Sequence, residues 1–150
     1  MADANILKTD ILIIGCGIAG ASAALEAAKS GMRLIVITKN PDPVESNTFY
    51  AQGGIVTRGI DDSVDLLVKD ILEAGAGLSL ASAARILADE GPRLVDEVLL
   101  GTAGVPFDRE DDGQLCYGME AAHSSSRILH VGDATGKAII RTLVAALHER

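Results

Sequence analysis

The spacing of apolar positions changes several times along the chain. DILIIG, Asp10 to Gly15, is an unbroken run of Ile and Leu that stops at glycine. A run so short, bounded by a turn residue, predicts a strand buried on both faces. ASAALEAAKSG, Ala21 to Gly31, is rich in Ala and ends on glycine, which predicts a helix. RLIVITK, Arg33 to Lys39, predicts a second buried strand. VDLLVKDILEAG has helical periodicity from Val64 to Gly75, and Asp61, Asp62 and Ser63 offer an N-cap. ARILADEGPRLVDEVLLG predicts a further helical region, capped by Ser82 and broken or restarted at Gly91-Pro92. The acidic residues of these two helices are expected on a solvated face. Asp111, Asp112 and Gly113 mark a turn between two extended segments. GDATGKAIIRTLVAALHER opens a last helix at Thr135 and Gly136, with Asp133 as a cap or as an acid standing behind a site, and His148 on its surface.

Between the first strand and the first helix stands GCGIAG, with Gly15, Gly17 and Gly20. Strand, G-x-G-x-x-G, helix and strand follow one another within about thirty residues. This order predicts an α/β, Rossmann-like domain with a parallel sheet and flanking helices. Gly15 allows the tight turn, Gly17 lets the backbone approach a pyrophosphate, and Gly20 lets the helix pack close to the strand. A tight turn without a ligand would not need all three. The acid that grips a ribose hydroxyl should follow roughly twenty residues on, but Thr38, Lys39 and Asn40 stand there. This weakens a classical NAD site. Lys39 serves the anionic part of a larger cofactor or is a solvated lysine at a strand end.

Past Pro41 and Pro43, which forbid a helix, comes SNTFYAQGGIV, Ser46 to Val56. Its hydroxyl and amide groups can donate and accept, and Gly53-Gly54 lets the backbone come close to something flat. It reads as a second wall of the same cofactor site, or as an ordered surface loop.

Composition narrows the partners. The 150 residues suffice for one core, and the formal net charge is −8. Nucleic acid is not expected as the main partner, since phosphate binding favours a basic face. Cys16 and Cys116 cannot make a disulfide framework, so a reduced, cytoplasmic setting is expected. No apolar run approaches a membrane span. MADANILKTD has no basic segment ahead of its short apolar stretch, so no secretory leader is expected. No metal site emerges from the histidines.

The chemistry gathers late. Glu120, His123, Arg127 and His130 fall within one short stretch, EAAHSSSRILH. Arg and His donors suit a dicarboxylate, and a carboxylate suits an α-amino group. The alternative is a surface Glu120 paired with Arg127.

GCGIAG, ITK, SNTFYAQGGI, DDSVDLLVKDILEAGAGL and EAAHSSSRILHVGDATGKAI together resemble the flavoprotein family of succinate dehydrogenase, fumarate reductase and L-aspartate oxidase. The similarity runs in register from Asp10 to about Leu147 and is closest to the aspartate-oxidising branch. It implies FAD, with Cys16, Gly17, Ile18 and Ala19 on the pyrophosphate and Lys39 near the adenosine. Asn47, Thr48, Phe49, Tyr50, Ala51, Gln52, Gly53 and Gly54 would line the flavin. Respiratory members carry a histidine bonded to flavin where Asn47 stands, so a non-covalent cofactor is implied. A glutamate at Glu120, absent from the respiratory members, implies L-aspartate as substrate and iminoaspartate as product, feeding quinolinate and NAD synthesis. His123 and Arg127 are implied in positioning substrate or flavin, and His130 in a structural or flavin-adjacent role. The resemblance further implies oxygen or fumarate as electron acceptor, and handover to quinolinate synthase. A succinate- or fumarate-active relative and a non-catalytic flavin-binding piece are the alternatives. The family carries His and Thr at the positions of Leu67 and Ile71, keeps Asp70, and has Gly-Gly where Ala121-Ala122 stands. Family members are several times longer. The rest of the flavin domain, the capping domain and the arginine proposed as acid/base are expected beyond Arg150, leaving these 150 residues inactive alone.

Overall fold

The computed structural model describes residues 6–150. The reading of the N-terminus falls partly on residues 1–5 and there lies outside the described residues. Strand β1 (Ile11–Ile14) turns into helix α1 (Ile18–Ala28), which returns the chain to strand β2 (Leu34–Ile37). β1 and β2 pair in parallel, Ile11 opposite Leu34 and Ile14 opposite Ile37. Parallel neighbours need a crossover, and α1 supplies it. The α/β, Rossmann-like class is therefore present in its smallest unit.

A 3-10 turn, Asn47–Tyr50, follows, where the sequence suggested only loop. Strand β3 (Ile55–Val56) pairs antiparallel with strand β4 (Ile128–Leu129), Ile55 opposite Leu129. Between them lie helix α2 (Val64–Ala74), helix α3 (Ala81–Leu94) and a π-helical segment, Val95–Thr102. Helix α4 (Thr135–His148) ends the chain's regular structure. The core joins Ala21 and Leu25 of α1, Leu99 of the π segment, Phe107, Leu129, and Ile139, Ile140 and Leu143 of α4.

Four local expectations are corrected. β1 is not buried on both faces: Leu12 and Ile14 are 54 % and 80 % exposed. α1 packs on the other face, and nothing among the described residues covers this one. Ser82 does not cap α3, whose N-cap is Leu80 without a side-chain bond. Asp133 does not cap α4; Ala134 does so by position, and the Thr135 hydroxyl instead accepts the Val131 N–H at 3.1 Å.

Helix α3 also does not break at Gly91-Pro92, and the reason is specific. Proline has no N–H for the carbonyl four residues back, here Ala88. The Arg58 guanidinium donates to that carbonyl through Nη2 at 2.7 Å. A side chain from the β3 edge thus replaces the missing backbone donor, and α3 runs on through Pro92 to Leu94. The expected cap of α2 is present, since Ser63 accepts the Leu66 N–H at 3.1 Å.

Candidate functional site

The glycine turn has the geometry its spacing demands. Gly15 has φ +100°, a left-handed conformation that favours glycine. A Cβ at Gly20 would lie 2.0 Å from the Gly15 carbonyl oxygen, so α1 packs at a distance only glycine permits. α1 starts at Gly17 with no side-chain cap and no acidic residue in its first turn. Its orphan N–H groups and the positive end of its dipole meet no anion from the protein.

The Ser46–Val56 stretch is tied to two helix starts at once. The Ile18 N–H donates to Thr48 Oγ1 at 3.0 Å. The Gly136 N–H donates to the Ala51 carbonyl at 3.0 Å. A cavity of about 430 Å³ opens between the glycine turn, the end of β2 and this stretch, lined by Gly15, Cys16, Gly17, Lys39, Asn47, Thr48 and Tyr50 among others. A narrower one of about 160 Å³ is lined by Ile18, Thr48, Ala51, Gly53, Gly54, Thr135 and Gly136 among others. The two share Thr48 as a wall. Ile18 and Ile55 also wall a third, apolar cavity of about 530 Å³ that holds Leu67, Ile71 and His123. Residues far apart in sequence therefore border three neighbouring cavities.

Four of the residues expected at the cofactor, Ala19, Gly20, Phe49 and Gln52, line neither of the first two cavities. Phe49 turns toward α4, where Lys137 Nζ and the Arg141 guanidinium sit 5.5 and 6.0 Å from its ring centre. Leu67 and Ile71 now have a physical account: both face the apolar cavity.

In the later segment, Glu120 and Arg127 do not pair. The Glu120 carboxylate is exposed and makes no ion pair among the described residues. Its Oε1 lies 3.1 Å from the point a Cβ on Gly53 would occupy. This sets an unneutralised carboxylate beside the Gly53-Gly54 wall. Ala122, two residues on, has φ +67°.

Arg127 is fully buried and its donors are committed. Nε and Nη2 grip Asp62 at 2.9 and 2.8 Å. Nη1 reaches Asp70 at 2.6 Å and His123 Nδ1 at 3.2 Å. Ser124 donates to Asp70 through its N–H at 2.9 Å and its hydroxyl at 2.8 Å. The expectation of a solvated acidic face is thus corrected for Asp70, and Asp62, a candidate cap of α2, also turns inward to the cluster. The side chains of Asp62 and Asp70 are 0 % and 6 % exposed, because a guanidinium 65 and 57 residues later neutralises them. Burial opposes ionisation of Asp70, but the Ser124 donors and Arg127 outweigh it and hold the carboxyl below its ordinary value. That stabilisation is complete above the unfolded value of about 3.9 and is lost as pH falls through the lower folded one.

His130 has a partner the sequence did not suggest. Its Nδ1 lies 2.9 Å from Asp108 Oδ2, which also accepts the Gly132 N–H at 2.8 Å. The Gly132 N–H, against some burial and with help from His130, lowers the Asp108 carboxyl below its usual range. No local spacing signals this pair, since 22 residues and a turn separate its members. His148 is exposed on the last turn of α4.

A parallel βαβ unit, a three-glycine turn at a helix start with no acidic residue, and a cavity beside it define a dinucleotide-binding α/β domain. The chain belongs to the FAD binding domain family, which matches residues 10–150. The L-aspartate oxidase of Halobacterium salinarum is 45 % identical over 140 residues, 93 % of this chain and 26 % of the relative. That of Clostridium acetobutylicum is 38 % identical over 144 residues, 96 % of this chain and 32 % of the relative. The solved structure of Mycobacterium smegmatis Sdh1 in complex with UQ1 superposes with a TM-score of 0.84 at 35 % identity, covering 92 % of this chain and 23 % of that one. The chain thus spans 26 % and 32 % of the two curated relatives. No helix among the described residues is long and apolar enough to cross a membrane.

Proposed function

We propose that this chain supplies the FAD diphosphate site and part of the substrate site for oxidation of L-aspartate to iminoaspartate. The observation that carries the reading is the free Glu120 carboxylate beside Gly53, a residue of the wall that also carries Thr48. The residues present fit the cofactor. An α1 start with no acidic residue in its first turn, next to Gly17, suits a diphosphate. Thr48 accepts from Ile18 and keeps its own O–H for an anion. Lys39 stands on the adenosine side, and Asn47, Thr48, Tyr50, Ala51, Gly53 and Gly54 border the flavin side. FAD, when bound, supplies a two-electron acceptor. An amide at Asn47 has no nucleophilic ring nitrogen, so the cofactor is held reversibly.

Glu120 takes the substrate ammonium, a charge that succinate lacks. His123 supplies a hydrogen-bond donor from the wall of the apolar cavity. Buried Arg127 holds the segment that carries both. Oxygen or fumarate as acceptor, onward passage of iminoaspartate to quinolinate synthase, a role in NAD synthesis and a cytoplasmic location belong to the same proposal.

The test is a flavin titration. FAD added to the chain is expected to lose free-flavin fluorescence and to be released entirely by acid precipitation. L-Aspartate added to the loaded protein shifts the flavin spectrum more strongly than succinate does. Glu120→Gln weakens the aspartate response by about tenfold or more, the worth of a charge-assisted bond. A colourless protein indifferent to FAD overturns the cofactor reading. An undiminished aspartate response in Glu120→Gln overturns the substrate reading.

A further inference from the structure

We infer that Arg127 is a positioning residue that fixes His123 in one tautomer, with Nδ1 bare and Nε2 protonated. The argument starts from what a guanidinium can do. It has five N–H donors and no acceptor. Nη1 stands 3.2 Å from His123 Nδ1, so that nitrogen must offer its lone pair. A proton on Nδ1 would set two donors against each other at this distance.

The guanidinium cannot swing away to relieve such a clash. Asp62 holds it bidentately from one side, and Asp70 takes Nη1 at 2.6 Å from another. Both carboxylates are anchored in turn. Asp62 Oδ1 accepts the Ser63 N–H at 2.8 Å, and Asp70 accepts twice from Ser124. All three side chains are almost wholly buried. The ring of His123 is therefore oriented by a rigid buried cluster rather than by its own exposed loop.

The consequence reaches the cavity. Among the described residues, His123 is the only imidazole lining the apolar space beside Leu67 and Ile71. With Nδ1 engaged, any polar contact His123 makes there goes through Nε2–H. It offers one donor and no acceptor, so the cavity's occupant must present an acceptor oxygen, such as a carboxylate or carbonyl, to that nitrogen. Only this last step, the identity of the occupant, rests on the function proposed above. The tautomer follows from the protein alone.

His130 provides an internal contrast. Its Nδ1 faces Asp108 Oδ2, an acceptor, so its proton sits on Nδ1 and its Nε2 is bare. Two histidines seven residues apart are thus held in opposite tautomers by partners of opposite kind.

The experiment is a long-range proton–nitrogen correlation spectrum of the full chain labelled with nitrogen-15 histidine. It is recorded without flavin, well above the ordinary histidine value of about 6.5. His130→Gln and His148→Gln assign the signals. The expected pattern for His123 is a pyridine-like Nδ1 and a pyrrole-like Nε2, with the reverse for His130. A pyrrole-like Nδ1 in His123, or an averaged pair of shifts, overturns the inference. In Arg127→Lys the ammonium has no fork to satisfy both acids and still reach the ring. The His123 pattern is expected to be lost to averaging while that of His130 persists. An unchanged His123 pattern in that variant overturns the role of Arg127. Should Arg127→Lys unfold, the His130 signals collapse too, and the wild-type spectrum still decides. FAD does not enter any of these readouts, so failure of the flavin titration leaves this result standing.

Discussion

The glycine turn and the Asp62–Asp70–Arg127 cluster are specified in opposite ways. In the turn, three glycines within six residues set the backbone, and no side chain has to arrive from elsewhere for the turn to close. In the cluster, no residue means anything until the chain has folded, because Arg127 lies 57 and 65 residues from its acids. The turn is a backbone device whose tolerance is measured in tenths of an ångström. The cluster is an electrostatic device, stable only while every member is present. Substitutions at the two places should therefore fail by different mechanisms and by different amounts.

The largest effect is expected at the cluster. Arg127→Met removes the one cation and leaves two buried carboxylates facing each other. Breaking a buried pair in this way costs about 3–5 kcal/mol, read as a lower urea midpoint at neutral pH. Adding Asp62→Asn and Asp70→Asn to Arg127→Met should recover part of the loss, since no uncompensated charge remains. A loss below about 1 kcal/mol, the range of exposed pairs, would mean that the cluster is not buried as described.

Gly20→Ala tests the other device, and its sign is informative. Helix propensity alone would make alanine the better residue by about 1 kcal/mol. The Cβ would instead arrive 2.0 Å from the Gly15 carbonyl oxygen, with backbone and no flexible side chain to yield. A destabilisation of about 1–3 kcal/mol, the usual cost of overpacking, is expected, together with loss of FAD affinity as the turn is displaced. A stabilised Gly20→Ala variant would show that close approach does not govern this turn.

This contrast explains what could be read in the sequence. Strand, glycine turn, helix and strand were legible because each depends on neighbours a few residues away. The Ser63 cap of α2 was legible for the same reason. The burial of Asp62 and Asp70 was not, since acids just before or along an amphipathic helix are usually solvated and the exception requires a partner from a distant segment. The Asp108–His130 pair escaped likewise. The two exposed positions of β1 ran against a rule that holds only where both faces are covered. Glu120 was singled out by its chemistry, but its separation from Arg127 became clear only when the acids that occupy Arg127 were in view.

Pro92 belongs to the second kind of specification on a smaller scale. A proline in a helical pattern signals a break, and the sequence offers no hint that Arg58 supplies the missing donor to Ala88. Arg58→Met should cost about 1–2 kcal/mol, within the range for an unsatisfied buried carbonyl. In a Pro92→Ala background the alanine N–H can take the Ala88 carbonyl, and the same Arg58 substitution should then cost much less. Thermal unfolding of the two single variants and the double variant measures this coupling. Additive effects would show that Arg58 and Pro92 act independently.

The smallest effect is expected where a strained backbone position stands next to the cluster's histidine, at Ala122. Its φ of +67° places an alanine where glycine is favoured, in the segment between Glu120 and His123. A left-handed L-residue costs roughly 1–2 kcal/mol, and glycine gives back about 0.5–1 kcal/mol of that through its greater unfolded freedom. Ala122→Gly should therefore stabilise the chain by less than about 1 kcal/mol and raise Tm by roughly 2–4 °C or less. Ala76, at φ +47° after α2, is a control remote from the buried charges. If Ala76→Gly and Ala122→Gly give the same gain, the strain at Ala122 is only local. If Ala122→Gly gains less while the His123 tautomer begins to average, alanine at this position is helping the buried guanidinium hold the ring. The backbone rule and the charge cluster would then be acting on the same few residues, with the strain retained because it keeps His123 in place.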